Sequence, residues 1–166
     1  MIYLLDANVL IDSNRDYYPL RRVPEFWEWL LYYGQQGNVK TPIEIYEEVK
    51  NGNDDLAEWM KQEETQNALL LNEDVEVATV ANVMDQGYAS DLTDDEVEKI
   101  GRDPFLVAHA LHQSEPRCVV TTEISKPSKQ RANRKLPDVC QVFSVRTCHT
   151  FQFTKELDFS TNWSKY

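Results

Sequence analysis

The chain contains no apolar run approaching the roughly 18 residues of a membrane span, no Walker sequence, no G-x-G-x-x-G and no G-x-S-x-G. These absences exclude a membrane-spanning helix within these residues, a P-loop nucleotide site, a dinucleotide fingerprint and a serine-hydrolase elbow. Cysteine is scarce. Cys118, Cys140 and Cys148 are an odd number with no C-x-x-C pair, so neither a disulfide framework nor a zinc knuckle is indicated, and they read as core or helix-face thiols. His109 and His112 lie three apart on an expected helix, but no cysteine or third histidine has matching spacing, which argues against zinc. Positive charge is short as well. Lys and Arg number 17 against 28 Asp and Glu, a formal net charge of −11, which disfavours a protein that coats nucleic acid by neutralising phosphates. An enzyme that cuts nucleic acid is not disfavoured, because a metal-dependent site needs an acidic centre and a local basic patch can supply phosphate contacts.

What is present is ordinary globular composition, with 42% apolar and 11% aromatic residues. A chain of 166 residues suits one domain spanning 1–166, large enough to bury roughly 70% of its unfolded surface. The first residues enter a strand with no basic n-region or cleavage site, so the expected location is cytoplasmic, with no membrane partner.

Met1 to Leu5 is a continuous apolar run ending at Asp6, the pattern of a buried parallel strand with a carboxylate at its C-terminal tip. A strand-to-helix turn follows, with Asn8 as the expected N-cap. Pro24 to Tyr33 reads as an amphipathic helix closed by Gly34. Val39 to Thr41 reads as a short strand, and Pro42 opens a helix with Ile43, Ile45, Tyr46 and Val49 as its apolar positions. After a turn at Asn51–Asp54, Leu56, Trp59 and Met60 predict another helix. Ala68–Leu71 suits a short strand, Val75–Val83 a buried helix, and Thr93 with Glu96 a capping box on an acidic, solvated stretch from Asp91 to Glu98. Asp103-Pro104 starts a helix with Asp103 as N-cap, and Cys118–Thr121 is the clearest second strand. Pro137–Val142 then forms a helix, followed by a strand near Val145 and a last turn at Thr150-Phe151.

Strands alternating with helices predict an α/β fold, a central parallel sheet covered on both faces in three α/β/α layers. Ligands of such sheets bind at the carboxyl ends of the strands. Asp6 ends the first strand, Glu123 follows the Cys118–Thr121 strand, Asp103 begins the helix before it, and Glu48 lies on the Pro42–Lys50 helix. Neighbouring strands would let all four acids converge. Glu44 and Glu47 share the helix of Glu48, so either is an alternative donor there. Carboxylates gathered without a cation repel one another and raise each other's pKa, and Mg²⁺ or Mn²⁺ removes that penalty through hard oxygen ligands while leaving positions for water and phosphate oxygen. Phosphodiester hydrolysis is the natural reaction of such a centre.

Four motifs carry a resemblance: Leu4-Leu5-Asp6-Ala7-Asn8-Val9-Leu10-Ile11, Glu48-Val49, Asp103-Pro104-Phe105-Leu106-Val107-Ala108-His109-Ala110, and Val119-Val120-Thr121-Thr122-Glu123. Together they resemble the PIN domain, the fold of VapC-type toxins of toxin–antitoxin pairs. The resemblance implies a PIN-like fold and a metal-dependent endoribonuclease with RNA as substrate, an antitoxin protein as partner, and a homodimer. It implies Asp6, Glu48 and Asp103 as principal catalytic metal ligands, Asn8 as a supporting polar residue, and Glu123 where the family usually carries Asp. That Glu is longer by one methylene, which suits binding through water.

Lys126, Lys129, Arg131, Arg134 and Lys135 form a loop with no acidic residue three positions beyond Glu123, and are candidates for contacts to the RNA backbone. Trp27, Trp29, Tyr32 and Tyr33 fall at helical spacing and read as core or partner-facing rather than as base-stacking residues. Two alternatives come from other classes. One is a binding module on the same fold with catalysis weak or lost. The other follows from Asp6-Ala7-Asn8, which is similar to the Asp-x-Asp loop of haloacid-dehalogenase-like phosphatases, although Asn8 cannot act as their general acid.

Overall fold

The computed structural model describes residues 1–112 and 114–165. Its five strands are β1 (Ile2–Leu5), β2 (Val39–Pro42), β3 (Leu70–Leu71), β4 (Arg117–Val120) and β5 (Arg146–Cys148). They form one sheet in the order β3-β2-β1-β4-β5, and every pairing is parallel. β1 sits at the centre with all four residues buried, which is why its sequence is apolar without alternation. The chain moves outward from β1 to β2 and β3, then crosses back to place β4 and β5 on the other side. The direction reverses between β1 and β4, and the crevice outside the carboxyl ends of the strands at such a point is where open α/β sheets bind ligands.

Ten α-helices are present among the described residues: α1 (Ala7–Asp12), α2 (Pro24–Gln35), α3 (Ile43–Lys50), α4 (Asp55–Met60), α5 (Glu63–Leu69), α6 (Val77–Gly87), α7 (Asp94–Ile100), α8 (Asp103–Ala110), α9 (Leu136–Val142) and α10 (Thr150–Glu156). Helices cover both faces of the sheet, giving the expected three-layer α/β/α arrangement. α2 packs on α5 and meets α10 through Trp29 and Phe153, whose rings lie 5.3 Å apart; α8 packs on α3 and α6. Trp27 and Trp29 are core residues, and their indole N–H groups donate to the Tyr18 and Leu157 carbonyls. Tyr32 is exposed and rests against Trp163. All three cysteines are buried and unbridged.

Several local expectations need correction. Gly34 lies inside α2, not after it, because the helix backbone there approaches α5 so closely that only hydrogen fits: a Cβ would meet Leu69 Cδ2 at 2.7 Å and the Ala68 carbonyl oxygen at 2.8 Å. The left-handed residue that ends the segment is Gly37, with φ +80°. Ala68 and Leu69 belong to α5, leaving only Leu70–Leu71 as strand, and the last turn is the longer helix α10. Asn8 is the second residue of α1 and exposed, because Asp6 occupies the cap position. His112 lies beyond the end of α8, so it does not share a helix face with His109.

Gly34→Ala tests the close approach of α2 and α5. Relief of the helix penalty of glycine would stabilise by about 1 kcal/mol, whereas overpacking against backbone costs about 1–3 kcal/mol. The clash with the Ala68 carbonyl should win, and urea denaturation should show a net loss of stability.

Candidate functional site

The pairing of β1 with β4 builds the site. Leu5 lies opposite Val120, and the Asp6 amide donates to the Val120 carbonyl at 3.0 Å, so Asp6 and Thr121 leave the sheet side by side. Asp6 is 4% exposed and Thr121 2%. The Asp6 carboxylate makes no capping bond to α1. Its Oδ2 instead accepts from the Thr121 hydroxyl at 3.0 Å, and the same hydroxyl accepts from the Glu123 amide at 3.2 Å. One hydroxyl therefore orients the first acid and fixes the backbone of the fourth. Glu123 is held from the other side as well, because its Oε2 accepts from the Leu136 amide at the start of α9 at 2.8 Å, a favourable place for a carboxylate.

Asp103 is the first residue of α8, followed by Pro104, and its side chain makes no cap bond. It is therefore not the capping residue that its Asp-Pro sequence predicts, and its carboxyl is left for the crevice. Glu48 is an exposed residue in the last turn of α3. The three glutamates of that helix separate by their partners. Glu44 Oε2 takes the ring N–H of buried His109 at 2.9 Å, and Glu47 faces Lys50 at 3.8 Å. Glu48 is the one whose charge acts on both Asp6 and Asp103. The Glu44–His109 bond ties α3 to α8 and so sets the relation of Glu48 to Asp103.

The electrostatics report a mutual congestion of anions. Burial pushes Asp6 up to about 6, the charges of Glu123 and Glu48 add to this, and the Thr121 hydroxyl and Ala7 amide oppose it. Burial pushes Asp103 up to about 8, reinforced by Asp6, Glu123 and Glu48 and opposed by Lys135. Burial together with the charges of Asp103 and Asp6 also drives the Cys140 thiol upward, keeping it neutral. Among the described residues no three His, Cys, Asp or Glu side chains stand in ligating geometry for a single ion. The four acids are thus gathered but not closed on a centre. Their donor set, carboxylate oxygens alone with two of them strongly resisting ionisation, suits a hard divalent cation.

The basic loop divides. Arg131 is structural: it pairs with Asp91 at 2.7 Å and Glu96 at 2.9 Å, so those two acids are not merely a solvated face. Arg134 donates to the Gly87 carbonyl at 2.6 Å. The Lys126 amide donates to buried Asp138 at 2.8 Å, and Ser125 donates to the other oxygen of the same carboxylate, tying the loop to α9. Lys129 and Lys135 are left beside Asp103 and Glu123. Asn8 makes no hydrogen bond to any of the four acids among the described residues. Thr121, Asp138 and Tyr88 are the contributors that sequence reasoning missed. Thr121 had a signal, a polar residue at a strand tip two positions before an acid, whereas Asp138 and Tyr88 had none.

The folded Asp103 pKa exceeds its ordinary value, and that fixes the sign of its effect on stability. Below about pH 3 the carboxyl is neutral in folded and unfolded chains alike and contributes no difference. As pH rises toward 8 the unfolded chain ionises first, so this group withdraws stability progressively, and Asp6 does the same up to pH 6. Asp103→Asn should therefore be more stable than the wild type in metal-free buffer at pH 8, by on the order of 1–2 kcal/mol after allowance for solvent screening, and indistinguishable from it at about pH 3 and below. Denaturant titrations of both proteins across this range measure the difference.

No curated protein and no solved structure matches the chain. A family model described as a domain of unknown function, DUF4411, matches residues 3–161, a span that contains all four acids. The chain belongs to the DUF4411 family.

Proposed function

We propose that this protein is a divalent-metal-dependent endoribonuclease of PIN type, and, from the same resemblance, the toxin of a toxin–antitoxin pair acting in the cytoplasm as a homodimer. The observation that supports the reading is that Asp6 and Asp103 are shielded from solvent without a cationic partner of their own among the described residues, while the charges of Glu123 and Glu48 act on both. The PIN-like motifs run through the same four residues. Among the described residues no helix is long and apolar enough to cross a membrane.

Asp6, Asp103, Glu48 and Glu123 would hold Mg²⁺ or Mn²⁺. When bound, such a cation supplies Lewis-acid charge to phosphate oxygens and lowers the pKa of water. The chain's own residues do the rest. Thr121 fixes the rotamer of Asp6 so that one carboxylate oxygen is committed to the hydroxyl and the other is left for the crevice. Asp103 gives up its proton on ligation, which makes metal uptake proton-linked. Glu123, anchored through one oxygen to the start of α9, offers the other, so its extra methylene is taken up by a structural hydrogen bond. Lys129 and Lys135 bring positive charge to the rim, where the chain is otherwise strongly acidic. The phosphatase alternative gains no support, because position 8 is an exposed amide two residues after Asp6.

Asp6→Asn and Asp103→Asn should each reduce Mg²⁺- or Mn²⁺-dependent RNA cleavage by about two orders of magnitude or more while circular dichroism stays unchanged. Thr121→Val, which keeps the shape and removes the hydroxyl, should cost about 10- to 100-fold. Cleavage mapped on total RNA after induced expression is the measurement. Undiminished cleavage and toxicity in Asp6→Asn would hand the protein to the binding-module reading.

A further inference from the structure

Beside Asp103 and Glu123 lies a cavity of about 260 Å³ between the end of α6, α7 and the basic loop. Tyr88 lines it. This side chain is 7% exposed, and its hydroxyl has no hydrogen-bond partner among the described residues. A shielded hydroxyl without an acceptor is destabilising, and a ligand oxygen that reached it on filling the cavity would relieve that cost. Burial and the charges of Asp103 and Glu123 drive the phenol upward, so it remains a neutral donor. Its position is firm: the carbonyl of the preceding residue, Gly87, accepts from Arg134, and a Cβ at Gly87 would meet Val139 Cγ1 at 2.8 Å.

The charge of the lining is opposite to that of the protein. Lys99, Lys129, Arg134 and Lys135 face two carboxylates there, in a chain of net charge −11. Lys99 is held by Asn133. Among the described residues neither Lys129 nor Lys135 makes an ion pair, so both ammonium groups are available to an anion. A cavity of this size with cationic walls and one buried neutral donor matches the chemistry of a phosphate group, which accepts hydrogen bonds through several oxygens and donates few or none.

We propose that this cavity is a phosphate subsite that holds a phosphate of the RNA chain next to the one attacked, with Lys129 and Lys135 supplying charge and the Tyr88 hydroxyl a directional hydrogen bond. The identity of the phosphate's bearer rests on the ribonuclease reading; the binding chemistry does not. The subsite also orders the substrate, since Asp103 and Glu123 belong both to its wall and to the acid cluster.

The test titrates inorganic phosphate into the full chain at fixed ionic strength, read by calorimetry and by NMR shifts. Saturable binding is expected. It should weaken about tenfold or more in the double variant Lys129→Ala/Lys135→Ala and about threefold in Tyr88→Phe, while Lys155→Ala on α10, away from the cavity, behaves as wild type. Absence of saturable binding, or equal binding by the double variant, overturns the subsite. In a second arm an unstructured oligoribonucleotide should displace the bound phosphate; displacement by ribose 5-phosphate but not by the oligoribonucleotide overturns the assignment to RNA. Cleavage is scored separately. Phosphate bound and displaced by RNA, with no metal-dependent cleavage by the wild type, would keep the subsite and remove the nuclease; metal-dependent cleavage without phosphate binding would do the reverse.

Discussion

The parallel pairing of β1 with β4 decides where Asp6 and Glu123, the acids at the two strand ends, can stand. It brings two residues separated by more than a hundred positions, Asp6 and Thr121, into a single hydrogen bond at 3.0 Å. From that bond the arrangement extends in both directions along the chain. The Thr121 hydroxyl receives the Glu123 amide, Glu123 receives the Leu136 amide, and α9 is thereby seated against the loop that follows β4. On the other side, the Glu44–His109 bond joins the helices that carry Glu48 and Asp103. The acids are therefore placed by hydrogen bonds that leave most of their own oxygens unused, which is what a ligand set requires and a structural salt-bridge cluster does not.

The same division of labour runs through the cations. Arg131 and Arg134 have guanidinium forks suited to several fixed acceptors, and both are consumed in holding the loop to α7 and to the end of α6. Lys129 and Lys135 are single charges on flexible stems and are left facing the cavity. Rigid donors build the wall, and mobile ones are left for the ligand proposed above. A loop that reads as one basic run thus divides by side-chain chemistry into cations that hold the fold and cations that line the cavity.

How much of this could be read beforehand depended on whether the determining partner was local. The buried strand ending at Asp6 and the start of α8 at Asp103 were legible because burial on both sheet faces and proline at a helix start leave marks within a few residues. Glu48 could not be separated from Glu44, since residues four apart share a helix face; the choice is made by His109, 65 residues away from Glu44. The pairing of Arg131 with Glu96 and Asp91 spans 35 and 40 positions and leaves no local trace. Gly34 misled for the opposite reason. A glycine late in a helical pattern suggests a C-terminal cap, but the need for it comes from the Ala68 backbone across the interface. The expected cap at Asn8 failed because the strand-ending acid already occupies that position.

The stability penalty at the crevice also bears on function. Asp6 and Asp103 are held in surroundings that favour their neutral forms, and among the described residues no guanidinium is a leading group that offsets them; Lys135 opposes the rise of Asp103. A cluster retained for stability would be expected to include bidentate partners, as Arg131 has in Glu96 and Asp91. Here the fold has arginines within reach of the same loop and spends them elsewhere. The free energy stored in this repulsion is released by whatever neutralises the acids, either protons at low pH or a divalent ion at neutral pH. Because these compete for the same oxygens, the proposed metal should bind more tightly as pH rises through the range of the two raised carboxyls, and the congestion that weakens the metal-free protein would then also drive the filling of the site.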